Sequence, residues 1–478
     1  VVVASGHGWL VKSNSLEVME IFKLELKWQV FTIVALGILI STLDGSILNI
    51  ANPSIARELN LQIEDVQWVV TTYLLVITSS LIFFGRLGDK RGSNKVYTWG
   101  FLLFTIGSLG CSLSRTLMML IATRMFQGIG ASMMMATGIG IVANIFPAGE
   151  RGKALGLTGT MVALGNMLGP SLGGLLLAKF QWPVIFLINI PIGLLGFYLG
   201  IRYLPEEHLD EEIKSYDIPG TLLLAAVVTM IILALSGSNG VNILWLAAAV
   251  ILLMLLCRWE KNIPYPLLDL DLFKNKTFVN GNLTALVVYS TQTSVFFLLP
   301  FYMETMLNFS PAYSGFMMTI TPVVMSVTAP LAGYFSDRFG SSHIISLSLL
   351  LMSASFLLLS ALDTAQANMI IGGGLVLLGM GMGMFGSPNT SAILGSMPKE
   401  KAGYGGGFIS TNRNLSYSLG ISSSVLLFTW LLNQKQAVLS YASAYIEASR
   451  TVHWAAASIA LVTLILWALA KSNRTLPK

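Results

Sequence analysis

Charge is scarce in this sequence. Asp, Glu, Lys and Arg together make up 11% of its 478 residues, where a soluble domain carries about 25%. A surface built from the remainder cannot face water over most of its area. Cysteine is nearly absent: Cys111 and Cys257 are the only two, and the span count below puts them on opposite sides of a membrane, too far apart to pair. Histidine is as rare. His7, His208, His343 and His453 are all expected in tails, loops or helix ends, which excludes a buried histidine relay and a metal cluster. No G-x-x-x-x-G-K-[ST] loop occurs, so hydrolysis of ATP at a P-loop is not the energy source. No nucleophile–base pair stands out, and an enzyme is not expected.

Long apolar runs are what the sequence has instead. Hydrophobic residues make up 54% of the chain, and Gly occurs 45 times and Met 22 times. A membrane span needs about 20 mostly apolar residues. Fourteen are expected, at 29–55, 65–87, 95–114, 116–146, 153–179, 183–203, 218–236, 242–258, 278–306, 312–335, 342–362, 368–396, 403–432 and 452–471. With the N-terminus inside, 21 of the 28 Lys and Arg fall on the inner side. Only Arg57, Arg115, Lys179, Lys435 and Arg450 fall outside, and Arg124 and Arg413 lie within spans. One missed span would invert every later loop and erase this bias. The chain is therefore expected in the plasma membrane, multi-pass, with both termini cytoplasmic. Its net charge of +5 belongs to that inner rim and does not indicate nucleic acid. The opening VVVASGHGWLVKSNSLEV lacks the order of a secretory signal, and residues 1–18 are expected to be partly foreign to the natural chain.

The chain repeats itself. GRLGDKRG (85–92) follows the second span and GYFSDRFG (333–340) follows the tenth. Gly85, Asp89, Lys90 and Gly92 correspond to Gly333, Asp337, Arg338 and Gly340. The layout is then a tail (1–28), a six-helix bundle (29–205), a linker with two extra spans (206–260), a second six-helix bundle (261–471) and a short tail (472–478). The acidic stretch EEHLDEEIKSYD (206–217) reads as a solvated linker. Internal repeats of this kind mark secondary transporters, whose substrate sites lie between the halves.

Four motifs resemble the major facilitator superfamily, in its fourteen-span drug:proton antiporter branch. GRLGDKRG resembles the loop signature between spans two and three, and RMFQGIGAS (124–132) the R-x-x-Q-G signature of span four. GNMLGPSLGG (165–174) fits the antiporter pattern G-x-x-x-G-P-x-x-G-G, and LDGSILNIANP (43–53) resembles the span-one signature of that branch, with Ser46 where Thr is common. QWVVTTYLL (67–75) and PLLDLDLFKNKTF (266–278) add support. The resemblance implies an all-α membrane protein of major facilitator fold: 14 transmembrane helices, as two six-helix bundles plus two extra helices. It also implies proton-coupled export, driven by the proton gradient and without a cofactor.

Each motif then has an expected role beside a blander one. Gly85 and Gly92 permit the turn between spans two and three. Asp89, with Arg91 and the repeat Asp337, would latch the inner gate against the positive end of span thirteen; the alternative is a plain turn. Gly165, Gly169, Gly173 and Gly174, with Gly156 and Gly159, give span five a smooth face, and Pro170 gives it a bend. That face marks an exporter in the family, or only tight packing. Asp44 and Arg124 lie at similar depths, roughly 16 and 12 Å from the outer side at 1.5 Å per residue, and can face one cavity. Burial disfavours the carboxylate and a nearby guanidinium favours it, so Asp44 can exchange protons as solvent access changes sides. The alternative is a permanent bridge pinning two helices. Gln127 shares the Arg124 face. The substrate cavity is expected to draw on Trp68, Tyr73, Gln127, Tyr289, Gln292, Phe296, Glu304 and Arg413. Arg413 also suits a structural role, and Glu304 a solvated helix end.

The expected activity is proton-coupled export of small amphipathic, often cationic compounds by a monomer in the lipid bilayer. Its rival is export of one dedicated solute, such as a lipid precursor, peptide or metabolite.

Overall fold

The computed structural model describes residues 25–147, 149–207, 217–236, 240–263, 269–363, 366–398 and 402–472. All regular structure among them is helical: α1 (Leu26–Glu58), α2 (Ile63–Arg91), α3 (Ser93–Ser112), α4 (Leu117–Ile145), α5 (Arg151–Leu177), α6 (Val184–Leu187), α7 (Asn189–Tyr203), α8 (Ile218–Leu235), α9 (Ile243–Glu260), α10 (Lys276–Thr305), α11 (Pro311–Phe339), α12 (Ser341–Ser360), α13 (Ala367–Gly395), α14 (Ala402–Gln436) and α15 (Tyr441–Ser472), with one 3-10 turn at Leu270–Lys274. Residues 1–18 and most of the acidic linker lie outside the described residues.

Every expected span has its helix, and the span at 183–203 is broken at Ile188 into α6 and α7. Thirteen spans are long and apolar enough to cross a membrane. The remaining one, α3, is twenty residues long and opens on the polar run Ser93, Asn94 and Lys95. Its hydroxyls turn back onto their own helix: Thr98, Thr105 and Ser108 donate to carbonyls four residues earlier, which satisfies them within an apolar setting. Helix starts are capped from the sequence: Thr116, Asn275 and Ser310 accept first-turn N–H groups.

α1 to α7 pack together and α10 to α15 pack together, and the two groups meet along α1–α10, α2–α14 and α5–α11. The extra helix α8 lies against both α2 and α14. The meeting is one-sided. At the end of the molecule that carries Arg57, a single apolar core runs through both bundles, with Ile50, Val66 and Val69 continuous with Phe297, Met303, Phe428 and Tyr445. Toward the other end the cores part. One surrounds Tyr97, Phe101 and Phe146, the other Phe278, Ile393 and Met397.

The duplication is visible in the backbone. Gly92 (φ 95°) ends α2 and starts α3, and Gly340 (φ 85°) ends α11 and starts α12. Each donates its N–H to the carbonyl four residues back, on Gly88 and Ser336. Such positive φ suits glycine alone. Gly85 does not make the turn: it lies inside α2 with open space beside it. One histidine also departs from expectation. His453 is buried well inside α15, where its Nδ1 meets the Ser449 carbonyl at 2.8 Å. Its own helix supplies the partner for Nδ1, so its polarity was a poor guide to its depth.

Candidate functional site

Asp44 lies in the middle of α1, 1% exposed. Three side chains converge on its carboxylate. Arg124 Nη1 donates to Oδ2 at 2.7 Å. Gln127 Nε2 and Asn189 Nδ2 donate to Oδ1 at 2.9 and 2.7 Å. Arg124 and Gln127 stand one turn apart on α4 and bond each other, Nη1 to Oε1, at 2.6 Å. Arg124 Nε donates to the Val69 carbonyl of α2 at 3.2 Å, and Gln127 Nε2 also donates to Ser108 of α3 at 2.8 Å. The guanidinium lies 4.0 Å over the Tyr73 ring, where the ring face stabilises the cation. Both members of the ion pair are buried. Such a pair persists only when hydrogen bonds replace the lost water, and the two amides and the Val69 carbonyl do so here. Arg124 Nη2 has no hydrogen-bond partner among the described residues.

The Asp44–Arg124 juxtaposition and the Gln127 contribution were legible from depth and helical spacing. Asn189 was not. Its signal was a lone amide in the apolar run VIFLINIPIG, two residues before Pro191, at the point where α6 gives way to α7.

A second cluster forms in the C-terminal bundle. Tyr289 of α10 sits edge-on to Phe385 of α13 and Tyr417 of α14, with ring centroids 5.8 and 5.6 Å apart. Gln292 lies beside Tyr417, and Arg413 is close enough to act on both phenols. Gln292 is buried, and its Oε1 has no hydrogen-bond partner among the described residues. Phe296, one turn along α10, is half-buried. Tyr289, Gln292 and Arg413 thus lie in one cluster; Tyr417 was missed because its place depends on how α14 rotates against α10. Trp68 is half-buried on the Arg57 end of α2, outside the ring contacts of Tyr289 and the hydrogen bonds of Asp44.

Glu304 is not a solvated helix end. Its side chain is 3% exposed and paired with Arg57 of the other bundle at 3.0 Å. Asp89, Arg91 and Asp337 are exposed at the opposite end, where the cores part.

On α5, Gly165, Gly169 and Gly173 fit against α1. A Cβ at Gly165 or Gly169 would overlap the hydroxyl of Thr42 or Ser46, and one at Gly173 would press on Ile47. Ser46 Oγ donates to the Gly165 carbonyl at 2.9 Å. Gly174 and Pro170 face the other bundle instead, where Gly315 of α11 packs against the Pro170 carbonyl and Ser171 bonds Thr319 at 2.6 Å. Gly156 and Gly159 have open space beside them, so the glycine-packed face is confined to the half of α5 nearer the Arg57 end.

Two bundles related by repeated turns, a buried ion pair between spans one and four, and a seam closed at one end place the chain among membrane carriers. Residues 34–421 match the profile of the Major Facilitator Superfamily. The chain belongs to the Major Facilitator Superfamily. It is 47% identical over 440 residues, 92% of this chain and 96% of its relative, to the riboflavin transporter RibZ of Clostridioides difficile (strain 630). It is 33% identical over 414 residues, 84% of this chain and 86% of the other, to the putative multidrug resistance protein MdtD of Salmonella heidelberg (strain SL476). A crystal structure of a peptide transporter POT mutant in complex with sulfate superimposes with a TM-score of 0.69 at 15% identity, covering 91% of this chain and 94% of that one. This likeness shows the fold alone. The protein is thus a multi-pass membrane transporter of this superfamily and not an enzyme.

Proposed function

We propose that this superfamily member carries one dedicated solute, riboflavin or a molecule with the same flat tricyclic ring and polyol chain, coupled to a proton. The observation that carries the substrate is the 47% identity to a riboflavin transporter along nearly the full length of both chains. The chemistry of the C-terminal cluster supports it. Tyr289, Tyr417 and Phe385 offer aromatic surface to a flat ring, and the free Oε1 of Gln292 can accept an imide N–H. The two acids buried in the bundles, Asp44 and Glu304, are each already paired with an arginine, which gives a lipophilic cation little to bind. This disfavours the multidrug reading, which rests on relatives at lower identity.

Asp44 is the proton carrier in this proposal. As a carboxylate it ties α1 to α4 and α7. A proton on it removes one acceptor site and the charge that Arg124 pairs with, so the tie of α1 to α4 is weakened. Arg57 lies 13 residues further along α1, about 20 Å away, and α1 also carries the surface on which α5 packs. Loosening at Asp44 therefore reaches the closed seam. With the basic end placed in the cytoplasm, that seam faces outward and Asp89 and Asp337 face inward, free to latch when the seam opens.

Purified protein in liposomes, loaded with riboflavin and diluted into labelled riboflavin, tests both parts. Exchange of label is expected, as is net riboflavin flow that follows an imposed pH difference. Asp44→Asn should keep exchange and lose the response to pH. Failure of riboflavin to exchange, with ethidium and other cations driving proton movement, would restore the multidrug reading.

A further inference from the structure

Asn189 differs from the other two partners of Asp44. Gln127 is committed at both ends: Oε1 accepts from Arg124 and lies 3.7 Å from Cys111 Sγ, and Nε2 is shared between Asp44 and Ser108. Its amide cannot turn without breaking these bonds. Arg124 has donors only. Asn189 is fully buried, donates one N–H to Asp44 at 2.7 Å, and its Oδ1 has no hydrogen-bond partner among the described residues. A carboxylate needs a donor; a carboxylic acid also needs an acceptor for its O–H. Of the three partners, only Asn189 holds an uncommitted acceptor, and a half-turn of its amide exchanges N–H for C=O at the same place.

We propose that Asn189 serves Asp44 in both protonation states, donating to the carboxylate and, with its amide rotated, accepting the O–H of the acid. This rests on the reading of Asp44 as the proton carrier. The exchange balances: the proton enters on Asp44 Oδ1, the Asn189 N–H leaves that oxygen, and the new O–H points at Asn189 Oδ1. Arg124 keeps its own proton, its bond to the Val69 carbonyl and its place on Tyr73. The titratable groups facing this site are Arg124 from α4, Tyr73 from α2 and Cys111 from α3; α7 contributes only the neutral amide. Without Asn189, a protonated Asp44 would hold a buried unsatisfied O–H, which makes protonation slow and costly. The amide lowers that barrier without adding a charge that would fix one state.

Infrared difference titration of the full chain in liposomes tests this. The acid C=O band of Asp44 is assigned by its loss in Asp44→Asn. In the wild type it should rise on acidification at a hydrogen-bonded frequency. In Asn189→Leu the band should move to the higher frequency of an unbonded acid. That variant loses both the donor to the carboxylate and the acceptor for the acid, which act on the equilibrium in opposite directions, so the frequency of the band carries the test. Asn189→Ser, whose hydroxyl both donates and accepts, should stay near the wild type. Asn189→Ala, which only removes atoms, replaces the Leu variant if that one does not fold. An unchanged band frequency in Leu or Ala, with a titrating wild type, would overturn the role of Asn189 and leave Asp44 as carrier. A wild type with no titrating Asp44 band would overturn both.

Discussion

Arg57 and Glu304 join the two bundles across the closed end, Nη2 to Oε2 at 3.0 Å, with the guanidinium 66% exposed and the carboxylate side chain 3% exposed. Glu304 Oε1 has no hydrogen-bond partner among the described residues, so this one contact holds the buried acid. An ion pair with one exposed partner contributes about 1 kcal/mol. Glu304→Gln should therefore lower the closed-to-open ratio of this end roughly fivefold. Distances between spin labels at the ends of α1 and α10 would report it. The doubly exchanged Arg57→Glu/Glu304→Arg protein should regain part of the closed population. An unaltered distribution in Glu304→Gln would show that the apolar seam alone keeps the end shut.

The glycines of α5 divide into two groups that substitution should separate. Gly169 is filled by the Ser46 hydroxyl of α1, so Gly169→Val forces overpacking and should cost about 1–3 kcal/mol of stability. Gly156 and Gly159 have open space beside them. Alanine there should stay within about 0.5 kcal/mol, or stabilise slightly through helix propensity. Thermal unfolding in detergent orders the three variants. Equal loss at Gly156 and Gly169 would mean that the open half of α5 also packs tightly for much of the time.

Gly92 and Gly340 hold the two equivalent turns at φ 95° and 85°. An alanine in either place meets backbone strain of about 1–2 kcal/mol, although Gly340 has free space around it. Both variants should lose stability by similar amounts, and Gly85→Ala, inside α2, should not. A Gly340→Ala protein as stable as the wild type would argue that the second turn relaxes to another conformation.

Much of this architecture was legible because membrane helices announce themselves by length and by the distribution of Lys and Arg. The repeat was legible because its turns demand glycine at fixed spacing, as Gly92 and Gly340 show. Depth along a helix follows from counting residues, which is why Asp44 and Arg124 could be paired. Rotation about a helix axis does not follow from counting when the helix is apolar all round. Tyr417 and Asn189 were missed for that reason. Glu304 and His453 were misplaced because an acid or imidazole near a helix end, or in a polar-looking stretch, is usually wet; here Arg57 and the Ser449 carbonyl supply the partners that water would have given.

The aromatic cluster gives the sharpest test of the substrate. A flat ring held beside Tyr289 and Tyr417 gains about 0.5–1.5 kcal/mol per aromatic contact beyond the area it buries. Gln292 lies beside Tyr417, so Tyr417→Leu removes a ring next to the amide that would read the imide edge. Riboflavin affinity should fall about tenfold, measured by the change in riboflavin fluorescence on binding to the purified protein. Gln292→Leu keeps the rings and should weaken riboflavin while sparing an analogue whose imide nitrogen is methylated. Trp68→Leu, outside both clusters, should leave affinity unchanged. If Trp68→Leu weakens riboflavin and Tyr417→Leu does not, the ring binds nearer the Arg57 end of α2 and the C-terminal cluster is a structural contact.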